Sequence, residues 1–283
     1  MKLVQFMLKD HKYRIGVLKD NQIIDLKSKF NFVPSLLVEF FASSSALGVV
    51  REIVEHPKVV YSLDEVVLLP PIMRPDKVIC IGLNYRNFCD ELHITCPNEP
   101  VAFSKFPSCI TGPYSDIRLP KISNQVDWEV ELAVVIGKEA KDVPANEAFN
   151  YILGYTIAQD ISARDWQVRN GGQYLLSKSM DTFCPLGPYI VTRDEIPDPH
   201  NLTLRCWVNG VLKQEGNTRD LVHKIDKLIE HLSSVTTLYP GDLILTGTPC
   251  GVGYYKNPPE FLKPGDIVES EIEGIGKMLN HVV

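Results

Sequence analysis

Apolar residues recur along this chain mostly in short runs of strand length, separated by Gly, Pro, Asn and Asp, and only a few stretches carry helical spacing. LVQFML, YRIGVL and QIIDL, the last two joined by a KDN turn, predict a small antiparallel meander at the start. Between residues 34 and 54 the spacing turns helical, with Leu36, Leu37, Phe40 and Phe41 on one side, and the Ser-rich ASSSA interrupts it. PPIMRP at 70–75 marks a boundary, which divides the chain into a small N-terminal accessory domain, 1–70, and a larger domain, 71–283.

Beyond that boundary the pattern predicts strands at 78–81, 101–104, 130–136, 154–159, 189–192 and 202–208. Asn209-Gly210 carries the signature of a type I′ hairpin turn. Helices are expected in SARDWQVRN and at 219–232, where Leu221, Ile225, Leu228 and Leu232 fall near a 3.6 period. Two identical Pro-Gly-Asp turns, at 240–242 and 264–266, each launch an apolar strand. Many strands with few crossover helices predict a mainly β, α+β architecture, a barrel or rolled sheet, over a doubly wound fold.

Composition narrows the function classes. At 283 residues and 45% hydrophobic content, the chain can bury a sizeable core. Its net charge is −6, with no dense basic cluster, so nucleic acid is not an expected partner. No apolar stretch approaches the roughly 20 residues that span a bilayer, so no membrane partner is expected either, and the opening residues lack a signal-peptide core. Seven cysteines without a C-x-x-C pair fit reduced thiols. An intracellular location follows as the expectation, either cytoplasm or mitochondrial matrix.

VDWEVELAVVIG, residues 126–137, places Glu129 and Glu131 two positions apart in a strand-like run. Alternation puts both carboxylates on one face, roughly 7 Å apart. Nearly every other position is apolar, so both faces are expected to be covered, and paired carboxylates there repel unless a cation lies between them. GYTIAQD delivers a third acid, Asp160, at the mouth of another apolar run. Three converging carboxylates suit a hard divalent cation, Mg²⁺ first, with Mn²⁺ or Ca²⁺ as alternatives.

VDWEVELAVVIG, GYTIAQDISARDWQ, LLSKSMDTFCPLGP, NTRDLV and YPGDLILTGTPCGVG occur in the order and spacing of the fumarylacetoacetate hydrolase superfamily, which residues 75–283 resemble. Within it the KSMDTFCPLGP and PPEFLKPGD segments are most similar to the branch of fumarylacetoacetate hydrolase domain-containing proteins. The resemblance implies a β-rich roll, a homodimer, and a metal held by Glu129, Glu131 and Asp160. It also implies that Arg164, Gln167, Tyr85 and Thr248 line the substrate site and that Lys178 takes part in catalysis.

Such a site suits a small 2-oxo carboxylate, because the enolate formed by loss of the C3 proton meets the cation's positive charge. Lys178, close to a cation, is expected to have a lowered pKa and to shuttle protons. Family hydrolases carry a lid motif resembling G-x-N-Y-x-D-H-x-x-E, whose His and Glu activate water. Here Gly82, Asn84, Tyr85 and Glu91 match, but Asn87 stands at the Asp position and Phe88 at the His position. On a helix, residues 88 and 91 share a face, whereas His93 points about 200° away from Glu91. Losing the water-activating base lowers hydrolysis more than tautomerisation, so oxaloacetate keto–enol tautomerase is the leading expectation, with Lys178 or Glu91 as proton carrier. An acylpyruvate hydrolase or oxaloacetate decarboxylase is the alternative. A protein that binds an oxo acid without converting it is the reading from another class.

Overall fold

The computed structural model describes residues 1–30, 32–41, 43 and 46–283, so most of the ASSSA stretch lies outside the described residues. The N-terminal meander forms as Lys2–Met7, Tyr13–Lys19 and Gln22–Asp25, each paired antiparallel with the next. Helical spacing after Pro34 yields two helices, Leu37–Phe41 and Ala46–Glu55. The meander continues into the main sheet, because Lys2 and Leu3 pair with Val191 and Ile190.

That sheet has twelve strands. From Cys184–Thr192 it runs through Ile152–Gln159, Val130–Ile136, Leu243–Leu245 and Val78–Gly82 to the end strand Val101–Lys105. Among the described strands only Leu243–Leu245 with Val78–Gly82 and Ile110–Thr111 with Cys184–Thr192 pair in parallel, which removes a doubly wound topology. A second sheet of four strands holds Val211–Asn217, Thr203–Val208, Ile267–Ile272 and Gly276–His281. Its hairpin turns at Asn209 and Gly210, φ 52° and 74°, as the type I′ pattern requires.

Every residue of Val130–Ile136 and of Ile152–Gln159 is buried. Two faces covered by neighbouring layers explain why these strands read as nearly continuous apolar runs rather than clean alternation. Their register, Val130 opposite Gln159 and Glu131 opposite Ala158, carries Glu129 to Asp160 at the strand ends, where the Asp160 amide donates to the Glu129 carbonyl at 2.9 Å.

The predicted helices are shorter than their patterns. SARDWQVRN yields only Arg164–Gln167, and the helix expected at 219–232 runs Ile225–Val235. Upstream of it, the Asn217 side chain accepts from the Arg219 amide at 2.9 Å and Leu221 bridges to Tyr85, so those residues use their backbone bonds elsewhere. His200, expected in a turn, lies in one and accepts the Ile225 amide through Nε2 at 3.1 Å, capping this helix. Among the described residues no helix is long and apolar enough to cross a membrane.

Candidate active site

Glu129, Glu131 and Asp160 each offer a carboxylate oxygen within 4.8 Å of the others, and all three are buried. The sheet explains the meeting: period-two geometry sets the two glutamates on one face, and strand register adds the aspartate. Burial first, then Asp160 and Glu129, pushes the Glu131 carboxyl well above its usual range. Asp160 behaves oppositely. Burial works against its charge, but Lys105 and Lys178 outweigh it and hold the carboxyl low.

Lys178 Nζ donates to Glu129 Oε2 at 2.9 Å and to Asp160 Oδ2 at 2.7 Å. Its nearest charges are thus carboxylates, and they raise its pKa although burial opposes them. Two anions favour the ammonium form, whereas the lowered pKa expected from the sequence concerns the lysine beside a bound cation. Lys105, fully buried, donates to Asp160 Oδ1 at 2.7 Å and to the Ile161 carbonyl at 3.2 Å. Arg164 Nε donates to Asp127 Oδ2 at 2.8 Å, and Nη1 donates to Gln167 Oε1 at 3.1 Å. Arg164 Nη2 lies 2.7 Å from Glu129 Oε1, yet it makes no hydrogen bond and is buried. The contact is close enough for an ion pair but misaligned, so that nitrogen keeps unused donors.

Charge balance tests the fit of a cation. Four buried acids, Asp127, Glu129, Glu131 and Asp160, face three buried cations, Lys105, Lys178 and Arg164. Among the described residues no lysine or arginine pairs with Glu131, whose Oε2 accepts only the Gly247 amide at 2.7 Å. An all-oxygen donor set with one uncompensated carboxylate fits a divalent metal.

A cover closes over these groups. Phe88 and Glu91 sit on the helix Arg86–Glu91. The Phe88 ring meets Tyr255 edge-on with centroids 5.9 Å apart, and Tyr255 packs on Tyr254 at 4.9 Å. The guanidinium of Arg164 lies 5.9 Å from the Tyr254 ring. Glu91 accepts the Gly251 amide at 3.2 and 3.3 Å, and His93 adopts φ 54° just past the helix. Surface cavities of about 630 and 740 Å³ lie away from the acids.

Of the residues singled out from sequence, Glu129, Glu131, Asp160, Lys178, Arg164 and Gln167 form one linked cluster. Tyr85 is fully buried with its hydroxyl unpartnered, and burial first, then the nearby Glu131, pushes its pKa well above the usual phenol range. Thr248 is held within the fold instead, because its hydroxyl donates to the Val130 carbonyl at 3.0 Å and accepts from Gln214 at 2.8 Å. Two participants escaped sequence reasoning. Asp127 shares the alternation of Glu129 and Glu131, and the same period-two count reaches it. Lys105 had no such signal beyond a charge ending an apolar run.

Buried acids gathered at strand ends, with lysines and an arginine among them, define a metal-dependent enzyme that handles small oxo acids. The chain belongs to the fumarylacetoacetate hydrolase family: the model described as fumarylacetoacetate (FAA) hydrolase C-terminal matches residues 77–283. A curated relative, oxaloacetate tautomerase FAHD2B, mitochondrial, from Bos taurus, is 52% identical over 263 residues, 92% of this chain and 84% of that protein. The solved fumarylacetoacetate hydrolase (EaFAH) of psychrophilic Exiguobacterium antarcticum superposes with a TM-score of 0.87 at 34% identity, covering 100% of this chain and 99% of that one. The maleylpyruvate hydrolase of Sphingobium sp. SYK-6, solved with manganese(II) and pyruvate, reaches 0.83 at 30% identity over 100% and 99% of the two chains.

Proposed function

We propose that this chain is an oxaloacetate keto–enol tautomerase that works with Mg²⁺ held by Glu129, Glu131 and Asp160. The observation that carries the reading is the buried acid triad with Lys178 bonded to two of its members. The name of the Bos taurus relative supports the substrate. When bound, the cation supplies a Lewis acid that draws electron density from the 2-oxo carboxylate oxygens.

The protein's own groups then divide the work. Lys178 Nζ gives a proton to C3 of the enol and recovers one from the enol hydroxyl, which leaves the keto acid and restores the ammonium. Glu129 and Asp160 hold that nitrogen in place and keep it charged between turnovers. Arg164 presents Nη2 to a substrate carboxylate, with Gln167 steadying Nη1. Tyr85 offers a buried neutral hydroxyl. Thr248 contributes by fixing the acid-bearing strand. Phe88 against Tyr255 keeps water from the enol.

Following the enol absorbance of oxaloacetate with Mg²⁺ and with EDTA tests the reading, and an absence of metal-dependent acceleration discards it. A second reading, carbon–carbon hydrolysis or decarboxylation, draws on Glu91, which stands at the cover as a remaining base. Release of pyruvate plus a carboxylate from an acylpyruvate, faster than oxaloacetate tautomerisation, favours it. We further infer a homodimer acting in the mitochondrial matrix without nucleic-acid or membrane partners, and an accessory role for residues 1–70.

A further inference from the structure

Asp127 is completely buried and accepts four donors. Oδ1 takes the amides of Trp128 at 2.8 Å and Gly253 at 2.7 Å. Oδ2 takes Arg164 Nε at 2.8 Å and the Tyr254 amide at 3.0 Å. Gly253 permits this approach: a Cβ there would lie 2.0 Å from the Glu260 carbonyl and 2.9 Å from Asp127 Oδ1. Backbone pairing adds to it, since Ser162 sits opposite Asp127 and the Arg164 amide donates to Gln125 at 2.9 Å.

One carboxylate therefore joins two pieces of the site that are remote in sequence. Arg164 lies on one side, and the turn bearing Tyr254 and Tyr255 lies on the other. With Nε committed to Asp127 and Nη1 to Gln167, the orientation of the guanidinium plane is fixed, and Nη2 is the nitrogen left with donors to give. A guanidinium free to rotate about its long stem loses rotamer entropy each time it grips an anion.

We propose that Asp127 is a positioning residue: it pre-sets Arg164 for a substrate carboxylate and ties that grip to closure of the aromatic cover. This rests on the assignment of Arg164 to the substrate made above. An asparagine at this position cannot replace the carboxylate. Its Nδ2 must face either Arg164 Nε together with the Tyr254 amide or the amides of Trp128 and Gly253, donor against donor, so the joint is weakened in either orientation.

The test is a double-mutant cycle with Asp127→Asn and Arg164→Lys in the Mg²⁺-loaded enzyme, read by oxaloacetate kinetics and by calorimetry of oxalate binding. Lysine keeps the charge at 164 but has no Nε for Asp127 to hold. In the wild-type background Asp127→Asn raises KM and the oxalate Kd by roughly 10- to 100-fold, the scale on which misplacement of a positioning group is felt, while kcat changes much less. In the Arg164→Lys background the same substitution adds little to either constant. Equal rises in both backgrounds, or a fall in kcat at unchanged KM, overturn the proposal, because Asp127 then acts through the turn alone. Should Asp127→Asn fail to fold, the wild-type protein decides: Arg164 Nε–H, assigned by its loss in Arg164→Lys, must exchange slowly with solvent, and fast exchange refutes the joint. Oxalate binding separates the two claims, since a wild-type enzyme that binds oxalate with this coupling but leaves oxaloacetate enol untouched defeats the tautomerase reading only.

Discussion

The floor of the site and its cover are built on opposite principles. On the floor, Glu129, Asp160, Lys105 and Lys178 are buried ions whose partners lie within 2.7 to 2.9 Å, and Glu131 is buried beside them on a strand of the twelve-stranded sheet. The cover is a six-residue helix and a short turn that meet through the rings of Phe88 and Tyr255. Desolvated charges tolerate almost no change of geometry, whereas ring contacts tolerate several. The floor thus fixes a class of chemistry, and the cover selects among outcomes that share an intermediate.

Disrupting the floor has the largest effect. Asp160→Ala, or removal of the cation with EDTA, lowers oxaloacetate tautomerisation by on the order of 10³-fold or more in the enol absorbance assay. Lys178→Met removes the proton carrier but leaves the acids, and a loss of about 10²- to 10⁴-fold follows. A Lys178→Met enzyme within threefold of wild type would contradict the proton assignment. Changing the cover has a more selective effect. Phe88→His places an imidazole beside Glu91, so acylpyruvate hydrolysis measured as pyruvate release rises about tenfold or more while tautomerisation stays within about tenfold. If hydrolysis does not move, the ring is not what withholds water.

The smallest effect concerns the floor without metal. Glu131 binds its proton more tightly folded than unfolded, so its ionisation costs stability as pH climbs above the ordinary carboxyl value of 4.5. Glu131→Gln removes that cost. Metal-free Glu131→Gln therefore melts a few degrees above metal-free wild type at pH 8, about 1 kcal/mol, and the gap narrows toward pH 5. Calorimetric scans at both pH values check the sign. A gap that widens on acidification would show that Glu131 is not the strained member.

Local pattern carried much of the fold. Strands at 130–136 and 78–81, the Asn209-Gly210 hairpin and the opening meander are where alternation and turn residues put them. Patterns failed where long-range bonds captured the backbone, as when Leu221 paired with Tyr85 and left the following helix to start at Ile225. Thr248 shows the same limit within the site, because nothing in LTGTP reveals that its hydroxyl is engaged by Val130 and Gln214.

The order of residues alone dictates that two glutamates share a strand face and that the run around them is too apolar to leave them in water, since both follow from a two-residue repeat and local composition. Which charges meet is settled in three dimensions. Lys105 reaches Asp160 across 55 positions and Asp127 reaches Gly253 across 126, and contacts at such separations are set by strand register and chain reversal, which no local periodicity encodes.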